Sequence, residues 1–366
     1  MIGGRFAAPS LLLLAFVGGP VRSQTDAFAE AIATARSTLD AMVKAGRTPG
    51  VSAAVAVDGR IVWAEAFGMA DVAGQVPATP DTRFGLGSIS KVLTVTAAAR
   101  LADRGVLDLD GPLETWLKDF RHPGQRITIR RIAAHQSGLS DAFSTQHSWT
   151  TAHYPTVEGA YRDIMREAAL THPPGSKVEY ATGLFTIVAR AMEAAAGADY
   201  LAIMRKEVFE PLGLTSIVYN DPRTPMPNRT RFYVAGDAGG FTPGPTFDPS
   251  HKLAGAGFVA TARDVAAFGA GLLKADYLSA KSRTALFTRV PLNDGNPGQY
   301  AMAFIADEYA GKPRVHIPGG GIGISSWLFI HPDDRLVIAI LANLPTAPVG
   351  GRTHRVIADA FLARLR

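Results

Sequence analysis

The sequence predicts an α/β fold of the α+β type, in which one antiparallel sheet is flanked by the N- and C-terminal helices and an all-helical region is inserted. Two observations carry this prediction. Strand patterns occur near the N-terminus and return in the last third of the chain, and helical patterns dominate the stretch between them. With 366 residues, 47% of them hydrophobic, the chain is long and apolar enough for a large core.

The N-terminal residues have the pattern of an export signal. Arg5 provides a positive charge, residues 6–17 are mostly apolar, and small residues precede Gln24 as a cleavage site requires. An uncleaved anchor is the alternative. We therefore expect a signal peptide over 1–23 and one domain over 24–366, periplasmic or secreted, with no stable membrane insertion after cleavage.

The elements of this domain follow in order from the N-terminus. Residues 25–45 predict an amphipathic helix, because apolar side chains recur there at helical spacing. Residues 51–57 and 61–67 predict two strands, joined by Asp58-Gly59, a dipeptide that favours tight hairpins. A helix over 88–104 comes next.

The inserted region, 96–252, and the last third complete the pattern. The expected helices of the insertion are 113–117, 157–169, 183–196 and 200–209, followed by a glycine- and proline-rich loop over 235–249. The expected later elements are a helix over 265–273, strands over 300–306, 325–331 and 336–341, and a helix over 355–365. The sheet therefore draws on 24–95 and 253–366.

The composition excludes several classes of function. The chain has no cysteine, which rules out disulfides, a thiol nucleophile and cysteine-based zinc sites. Its net charge of +5 is spread along the chain without a nucleic-acid-binding motif. The histidines lack metal-ligand spacing. We expect no metal, no cofactor and no nucleic-acid partner.

Ser88 and Lys91 are the first candidates for chemistry. They stand three residues apart at the start of a predicted helix, so their side chains should lie on one face, one turn apart. Free N–H groups at a helix start favour a developing negative charge, and a lysine beside a serine can act as its base. A serine that only caps the helix is the alternative, because one Ser-x-x-Lys pattern is weak by itself.

Two further candidates follow along the chain. Tyr180 stands just before a predicted helix, in a loop set by Pro174-Gly175, and such a position can aim a hydroxyl into a cleft. Residues 316–326 include four glycines within five positions, where backbone N–H groups can bind an oxyanion. A packing tyrosine and a flexible connector are the alternative interpretations.

In this order, the three stretches resemble the serine β-lactamase and penicillin-binding protein superfamily, on the side of class C β-lactamases and related esterases. Four further segments are similar to motifs of the same superfamily: 82–91, 135–139, 211–214 and 254–264. Residues 228–234 and 250–255 resemble the mitochondrial β-lactamase-like serine protease branch. The resemblance covers nearly the whole mature chain and implies a β-lactamase/transpeptidase-like fold without a cofactor.

The sequence departs from the family pattern at two positions. Thr182 stands where the family commonly has asparagine, although the mitochondrial branch also has threonine there. His316 stands three residues before Gly319, so either one residue is inserted in the Lys-Thr-Gly or His-x-Gly motif or His316 is out of register. Threonine offers a substrate a smaller contact than asparagine, and a neutral histidine anchors a carboxylate poorly compared with lysine. Both changes argue against efficient β-lactam recognition, and the absence of a Ser-Asp-Asn segment argues against a class A enzyme.

The resemblance implies an exported acyl-enzyme hydrolase that acts on ester or peptide bonds of a small-molecule or peptide substrate. Ser88 is then the nucleophile, Lys91 its base and Tyr180 a partner base or proton relay. The residues implied for the oxyanion and the substrate are Gly319, Gly320, Thr182 and His316. A β-lactamase or D-amino-acid peptidase is one alternative, and a non-hydrolytic penicillin-binding sensor or scaffold is another. The oligomeric state is left open.

Overall fold

The computed structural model describes Met1, residues 27–237 and residues 239–365. Apart from Met1, the expected export signal and its cleavage site lie outside the described residues. Among the helices of the described part, none is long and apolar enough to cross a membrane.

A seven-stranded antiparallel sheet lies at the centre of the molecule. Its spatial order is β3 (Val76–Pro77), β2 (Arg60–Asp71), β1 (Gly50–Val57), β12 (Leu336–Ala342), β11 (Ile324–His331), β10 (Lys312–Gly321) and β9 (Ile305–Tyr309). Strands β1 and β12 are direct neighbours, with Val51 opposite Ala342 and Val57 opposite Leu336. This pairing confirms the prediction that the sheet is assembled from both ends of the chain.

The turn between β1 and β2 forms at Asp58 and Gly59, as predicted. Both residues have positive φ, +48° and +80°. This combination belongs to the two-residue turns whose twist matches that of antiparallel strands. The turn therefore fixes the register in which Val57 lies opposite Arg60.

Helices are distributed along the chain between and around these strands. In order they are α1 (Ala29–Lys44), α2 (Ile89–Asp103), α3 (Ile129–Ala133), α4 (Ala142–Gln146), α5 (Val157–Glu167), α6 (Phe185–Ala196), α7 (Tyr200–Met204), α8 (Glu210–Leu212), α9 (Leu253–Ala256), α10 (Ala262–Leu272), α11 (Ala280–Phe287) and α12 (Gly351–Leu362). Single turns of 3₁₀ helix occupy Leu113–Thr115 and Ser250–Lys252, and a π-helical turn occupies Arg205–Phe209.

The sheet has a buried core on each face. Helices α1 and α12 pack on one face, where Phe28 stacks on Phe361 with ring centroids 5.5 Å apart. Helix α10 and the helical region cover the other face. All eight residues of β1 are buried, and successive side chains alternate between the two cores. The expectation that terminal helices flank the sheet is confirmed.

The structure adds three findings to the predicted elements. The inserted region also contains the short strands β5 (Val218–Tyr219), β6 (Tyr233–Ala235) and β7 (Phe241–Pro243), so it is not purely helical. No individual helix was predicted at the positions of α3, α4, α8, α9 and α11. The strand expected over 300–306 begins only at Ile305, and the glycine-rich stretch is itself part of β10, which pairs with β9 and β11.

A small three-stranded sheet holds the start of α2 in place. In it, β4 (Phe84–Gly85) pairs with β8 (Phe258–Ala260), which also pairs with β5. Helix α2 itself is buried around nearly its whole circumference. The residues at its N-terminus are therefore fixed by a sheet on one side and by the core on the other.

Candidate active site

Ser88 lies at the N-terminus of α2, directly after Gly87. Its side chain makes no capping hydrogen bond to the helix, which excludes the alternative that this serine serves as a helix cap. Gly87 has φ +51°, and a Cβ atom on it would lie 2.7 Å from the amide nitrogen of Gly320. Glycine at this position therefore lets the backbone of β10 come close to the serine.

Lys91 is fully buried one helical turn further on. Its Nζ lies 2.9 Å from Ser88 Oγ, 3.1 Å from Thr182 Oγ1 and 3.1 Å from the carbonyl oxygen of Gly255. Because a carbonyl oxygen can only accept, the Lys91 amine donates one hydrogen bond to Gly255. Its other hydrogen-bonding positions are left for the hydroxyl groups of Ser88 and Thr182. The predicted pairing of Ser88 and Lys91 is thus present in the geometry.

Tyr180 brings a second hydroxyl to the serine. Its Oη lies 2.5 Å from Ser88 Oγ, and Lys91 Nζ lies 4.8 Å from the centroid of its ring. Burial raises the pKa of the Tyr180 hydroxyl. The charge of Lys91 and the hydrogen bonds around the hydroxyl lower this pKa by a larger amount. The net result is a pKa below the ordinary value of tyrosine. About half of the residue, 49%, is exposed, so one part of it faces the cleft.

His135 packs against the ring of Tyr180. Its imidazole lies against the phenol ring at 4.3 Å between centroids, and its Nδ1 accepts a hydrogen bond of 3.1 Å from the Ala181 amide. Burial, and then the charge of Lys91, hold the pKa of His135 well below its usual range. The ring is therefore neutral at pH 7 and acts as a packing partner that sets the direction of Tyr180.

Asp141 fixes the backbone that follows the tyrosine. Its carboxylate accepts the amide N–H of Thr182 at 2.6 Å and that of Gly183 at 3.1 Å. Burial raises the pKa of this carboxyl group, and the two amide hydrogen bonds partly offset that effect. The predicted Thr182 is thereby held with its hydroxyl on Lys91.

The glycines of β10 border the same site. A Cβ atom on Gly319 would lie 2.0 Å from the carbonyl oxygen of Leu86, whereas one on Gly320 would meet nothing within 4 Å. Gly319 therefore permits close packing against the serine segment, and Gly320 faces open space in the cleft. The amide nitrogen of Gly320 lies beside Gly87, the residue that precedes Ser88.

His316 does not join this group, which corrects the prediction that it contacts the substrate. Its Nε2 lies 3.2 Å from Asp307 Oδ2, and its ring packs against both Trp327 and Phe329, with centroids 5.5 and 5.6 Å away. His316 pairs with Phe329 across β10 and β11, so both side chains point to the face that the terminal helices cover. Side-chain alternation thus turns the histidine away from Ser88.

The site opens into a cleft with a volume of about 220 Å³. Its lining includes Ser88, Tyr180, Thr182 and Gly320 of the predicted set, together with Gly321, Asp141, Ser144, Ser148, Trp149, Phe247 and Lys252. A larger cavity of about 400 Å³ lies around Asp103 and Lys281 and does not include the serine. Within the described residues, no group of histidine and acidic side chains has the arrangement of a metal site.

The sequence did not predict that Asp141, Ser144, Ser148, Trp149, Phe247 and Lys252 line the cleft. These residues come from the segments 141–149 and 247–252, which meet the nucleophile only through tertiary packing. Lys252 lies inside a segment that matches a family motif, so a local signal existed for it. Asp141 and Trp149 follow the 135–139 motif without a pattern that marks them.

Comparisons with known proteins identify the family of the chain. A family model described as Beta-lactamase matches residues 35–361. The human protein named serine beta-lactamase-like protein LACTB, mitochondrial, is 27% identical over 400 residues, covering 84% of this chain and 73% of that protein. Esterase EstB of Burkholderia gladioli is 27% identical over 376 residues, covering 90% and 94%.

A solved structure shows the same fold. The D-amino acid amidase of Ochrobactrum anthropi, in complex with D-phenylalanine, superposes with a TM-score of 0.78 over 92% of this chain and 99% of that one. The two sequences are 20% identical. This similarity supports the expected β-lactamase/transpeptidase-like architecture.

Proposed function

The chain belongs to the beta-lactamase family, and we propose that it is a serine hydrolase that forms an acyl-enzyme on Ser88 and cleaves ester or peptide bonds. The enzyme class is that of its relatives, which include an esterase and D-aminopeptidases. One observation carries the assignment of the nucleophile. Ser88 Oγ lies within hydrogen-bond distance of both Tyr180 Oη and Lys91 Nζ, at the floor of a cleft.

In the proposed first step, Ser88 Oγ attacks the carbonyl carbon of the substrate. Its proton passes to Tyr180, whose deprotonated form the charge of Lys91 stabilises. The negative charge that develops on the carbonyl oxygen is held by the N–H groups of Ser88 and Gly320. The tetrahedral intermediate expels the alcohol or amine, which takes the proton from Tyr180, and leaves an ester on Ser88.

In the second step, water replaces the leaving group. Tyr180 accepts a proton from the water molecule, the hydroxide attacks the acyl carbon, and the bond to Ser88 Oγ breaks. The proton returns to the serine and the carboxylic acid leaves. The transfer between Ser88 and Tyr180, which begins the first step, joins two hydroxyl groups that lie within hydrogen-bond distance.

Two features favour ester or peptide substrates over β-lactams. His316 lies outside the cleft, so no cationic side chain stands on β10 beside the nucleophile, where the lining consists of Gly320 and Gly321. Thr182 uses its hydroxyl on Lys91. A carboxylate adjacent to a β-lactam ring would therefore find no partner on this strand.

The test is a side-by-side assay of a short-chain p-nitrophenyl ester, a chromogenic cephalosporin, and D-alanyl and L-peptide substrates. The ester is expected to turn over, and Ser88→Ala to lower kcat at least about a thousandfold. Ser176→Ala, which changes a serine outside the cleft lining, is the matched control. Undiminished turnover in Ser88→Ala would end the proposal, whereas acylation by penicillin without turnover would favour a sensor.

We also propose that residues 1–23 direct export of the enzyme. The positive charge of Arg5 followed by the apolar residues 6–17 supports this part of the proposal. N-terminal sequencing of the mature protein should then begin at Gln24, and a mature protein that retains Arg5 would contradict cleavage.

A further inference from the structure

The cleft contains a second buried lysine that the proposed mechanism does not use. Lys252 is 8% exposed and lines the cleft together with Ser88. Its Nζ donates to the carbonyl oxygen of Ser148 at 2.8 Å and lies 5.2 Å from the ring centroid of Trp149. Because an ammonium group has three N–H donors, Lys252 keeps donor capacity toward the cleft.

No carboxylate of the described residues forms an ion pair with Lys252. Asp141 is the acidic residue in the cleft lining, and its oxygens accept the amides of Thr182 and Gly183. A buried cation without an ion-pair partner is costly unless something compensates its charge. Burial lowers the pKa of Lys252 to about 8, although the nearby charge of Asp141 acts in the opposite direction. The amine is therefore mostly protonated at pH 7.

The corner of the cleft around Lys252 has one group with unused hydrogen-bonding capacity at its surface. Ser144 also lines the cleft, but its hydroxyl oxygen is closed to solvent. That hydroxyl interacts with the carboxylate of Asp141 and helps to lower the pKa of that group. The ammonium group of Lys252 is therefore the donor left for a ligand, and an anion such as a carboxylate suits it.

The wall beside this corner is apolar. Trp149 is 53% exposed, and its ring lies 5.7 Å from that of Phe247 in an edge-to-face arrangement. Both rings line the cleft. They provide a surface for the hydrocarbon segment that would join an anionic group to the bond attacked by Ser88.

We propose that Lys252 binds a carboxylate of the substrate, and that the enzyme therefore prefers esters or amides that carry an anionic group. This inference rests on the proposed hydrolytic function, since it names the substrate class of the same cleft. It also implies that a substrate with a free ammonium group in this corner is disfavoured, because Lys252 would repel it.

The position of the carboxylate, on the acyl or on the leaving side, decides which probe is preferred. Mono-p-nitrophenyl adipate carries it on the acyl side, 3-carboxy-4-nitrophenyl hexanoate carries it on the leaving side, and p-nitrophenyl hexanoate is the neutral reference. We compare kcat/KM at pH 7 after subtracting hydrolysis in buffer. Wild type is expected to prefer one of the anionic esters over the neutral one by at least about tenfold.

Two substitutions separate the charge of Lys252 from its bond to Ser148. Lys252→Met removes both, whereas Lys252→Gln keeps an N–H donor near the Ser148 carbonyl and removes only the charge. Both are expected to lower the ratio of anionic to neutral kcat/KM by about tenfold. Lys44→Met, which changes an exposed lysine of α1, is the matched control and should leave the ratio unchanged.

Three results would overturn the proposal. The first is a wild-type enzyme that hydrolyses the neutral ester as well as both anionic ones. The second is an unchanged ratio of anionic to neutral kcat/KM in Lys252→Gln, since the hydrogen bond to the Ser148 carbonyl would then be the only role of Lys252. The third is wild-type turnover that Ser88→Ala retains in full, which would overturn the hydrolytic function together with the substrate class. The first two leave the hydrolytic function standing.

Discussion

At the scale of single residues, Tyr180 is the group best placed to take the proton of Ser88. The two hydroxyl oxygens are 2.5 Å apart, and the pKa of Tyr180 lies below its ordinary value. Lys91 Nζ is 2.9 Å from the serine but also donates to the Gly255 carbonyl. The structure therefore favours Tyr180 as the base and Lys91 as the charge that stabilises its deprotonated form.

Tyr180→Phe tests this assignment. It keeps the ring that packs on His135 and removes the hydroxyl, so kcat should fall at least about a hundredfold, the usual contribution of a general base. A base acts when deprotonated, so wild-type kcat/KM should rise with pH through a limb below the ordinary pKa of tyrosine. That limb should be absent from the pH profile of Tyr180→Phe.

Tyr300→Phe provides the control for that measurement. The Tyr300 ring also packs on His135, at 4.7 Å between centroids, and lies 6.1 Å from the ring of Tyr180. Its hydroxyl makes no hydrogen bond to another described residue. Loss of this hydroxyl should leave the pH limb in place. An unchanged limb in Tyr180→Phe would show that another group is the base.

Individual residues also show which parts of the site could be predicted from the sequence and which could not. Ser88, Lys91 and Tyr180 were proposed from the sequence because they stand at or near a break between a loop and a helix, and the structure brings their side chains together. His316 was misplaced because one residue of register turns a strand side chain to the opposite face. Asp141 and Lys252 were missed as site residues because their roles arise only when distant segments fold against the nucleophile.

At the scale of elements, the approach of the serine segment to β10 is the contact that assembles the site. Gly87 faces the amide of Gly320, and Gly319 faces the carbonyl of Leu86. Side chains at either glycine would push the two segments apart. The placement of the proposed oxyanion donors, the N–H groups of Ser88 and Gly320, therefore depends on these two glycines.

Gly87→Ala and Gly46→Ala form a matched pair that isolates this contact. Both glycines have positive φ, +51° and +65°, so each alanine should cost about 1–2 kcal/mol of backbone strain. At Gly46 a Cβ atom would meet nothing within 4 Å, whereas at Gly87 it would lie 2.7 Å from Gly320 N. Only Gly87→Ala should also lower kcat/KM, by at least about tenfold.

Urea unfolding and ester hydrolysis of the two variants check this prediction. A fall in kcat/KM of the same size in both variants would contradict it, because the loss would then come from backbone strain rather than from the contact with β10.

Elements were predicted best where a local pattern decides them. The Asp58-Gly59 turn, α2 and the apolar strands near the two termini follow from turn chemistry and periodicity. Strand β10 contains three consecutive glycines, a composition typical of loops, and forms because β9 and β11 pair with it. Strand β5 of the insertion likewise depends on a distant partner, β8, whereas β6 and β7 pair with each other.

At the scale of the whole molecule, a buried histidine pair joins the sheet to the last helix. His331 Nε2 on β11 lies 3.3 Å from His354 Nε2 on α12, and Phe329 stacks on His354 at 3.6 Å between centroids. Burial lowers the pKa of His331 to about 4 and, with the charge of His331, that of His354 to about 2. Both rings are therefore neutral in the folded protein at pH 7.

This pair predicts a loss of stability in acid. Because unfolded histidine has a pKa near 6.5, the unfolded chain gains protons first as the pH falls. Stability is fully present above pH 6.5 and should decline from there toward pH 4, by roughly 3 kcal/mol from His331 alone. His354→Phe removes one of the two groups, so its free energy of unfolding should fall by less over this interval. Parallel profiles for the variant and wild type, measured by urea unfolding, would contradict the prediction.

The central claim is that Ser88 is the nucleophile of this cleft, and covalent trapping by a p-nitrophenyl alkylphosphonate tests it most directly. The reagent turns a serine nucleophile into a stable tetrahedral adduct, which intact mass and peptide mapping can locate. We expect one equivalent of p-nitrophenolate, one adduct per chain on the peptide that contains Ser88, and neither in Ser88→Ala. An adduct on another residue, or stoichiometric labelling that persists in Ser88→Ala, would contradict the account.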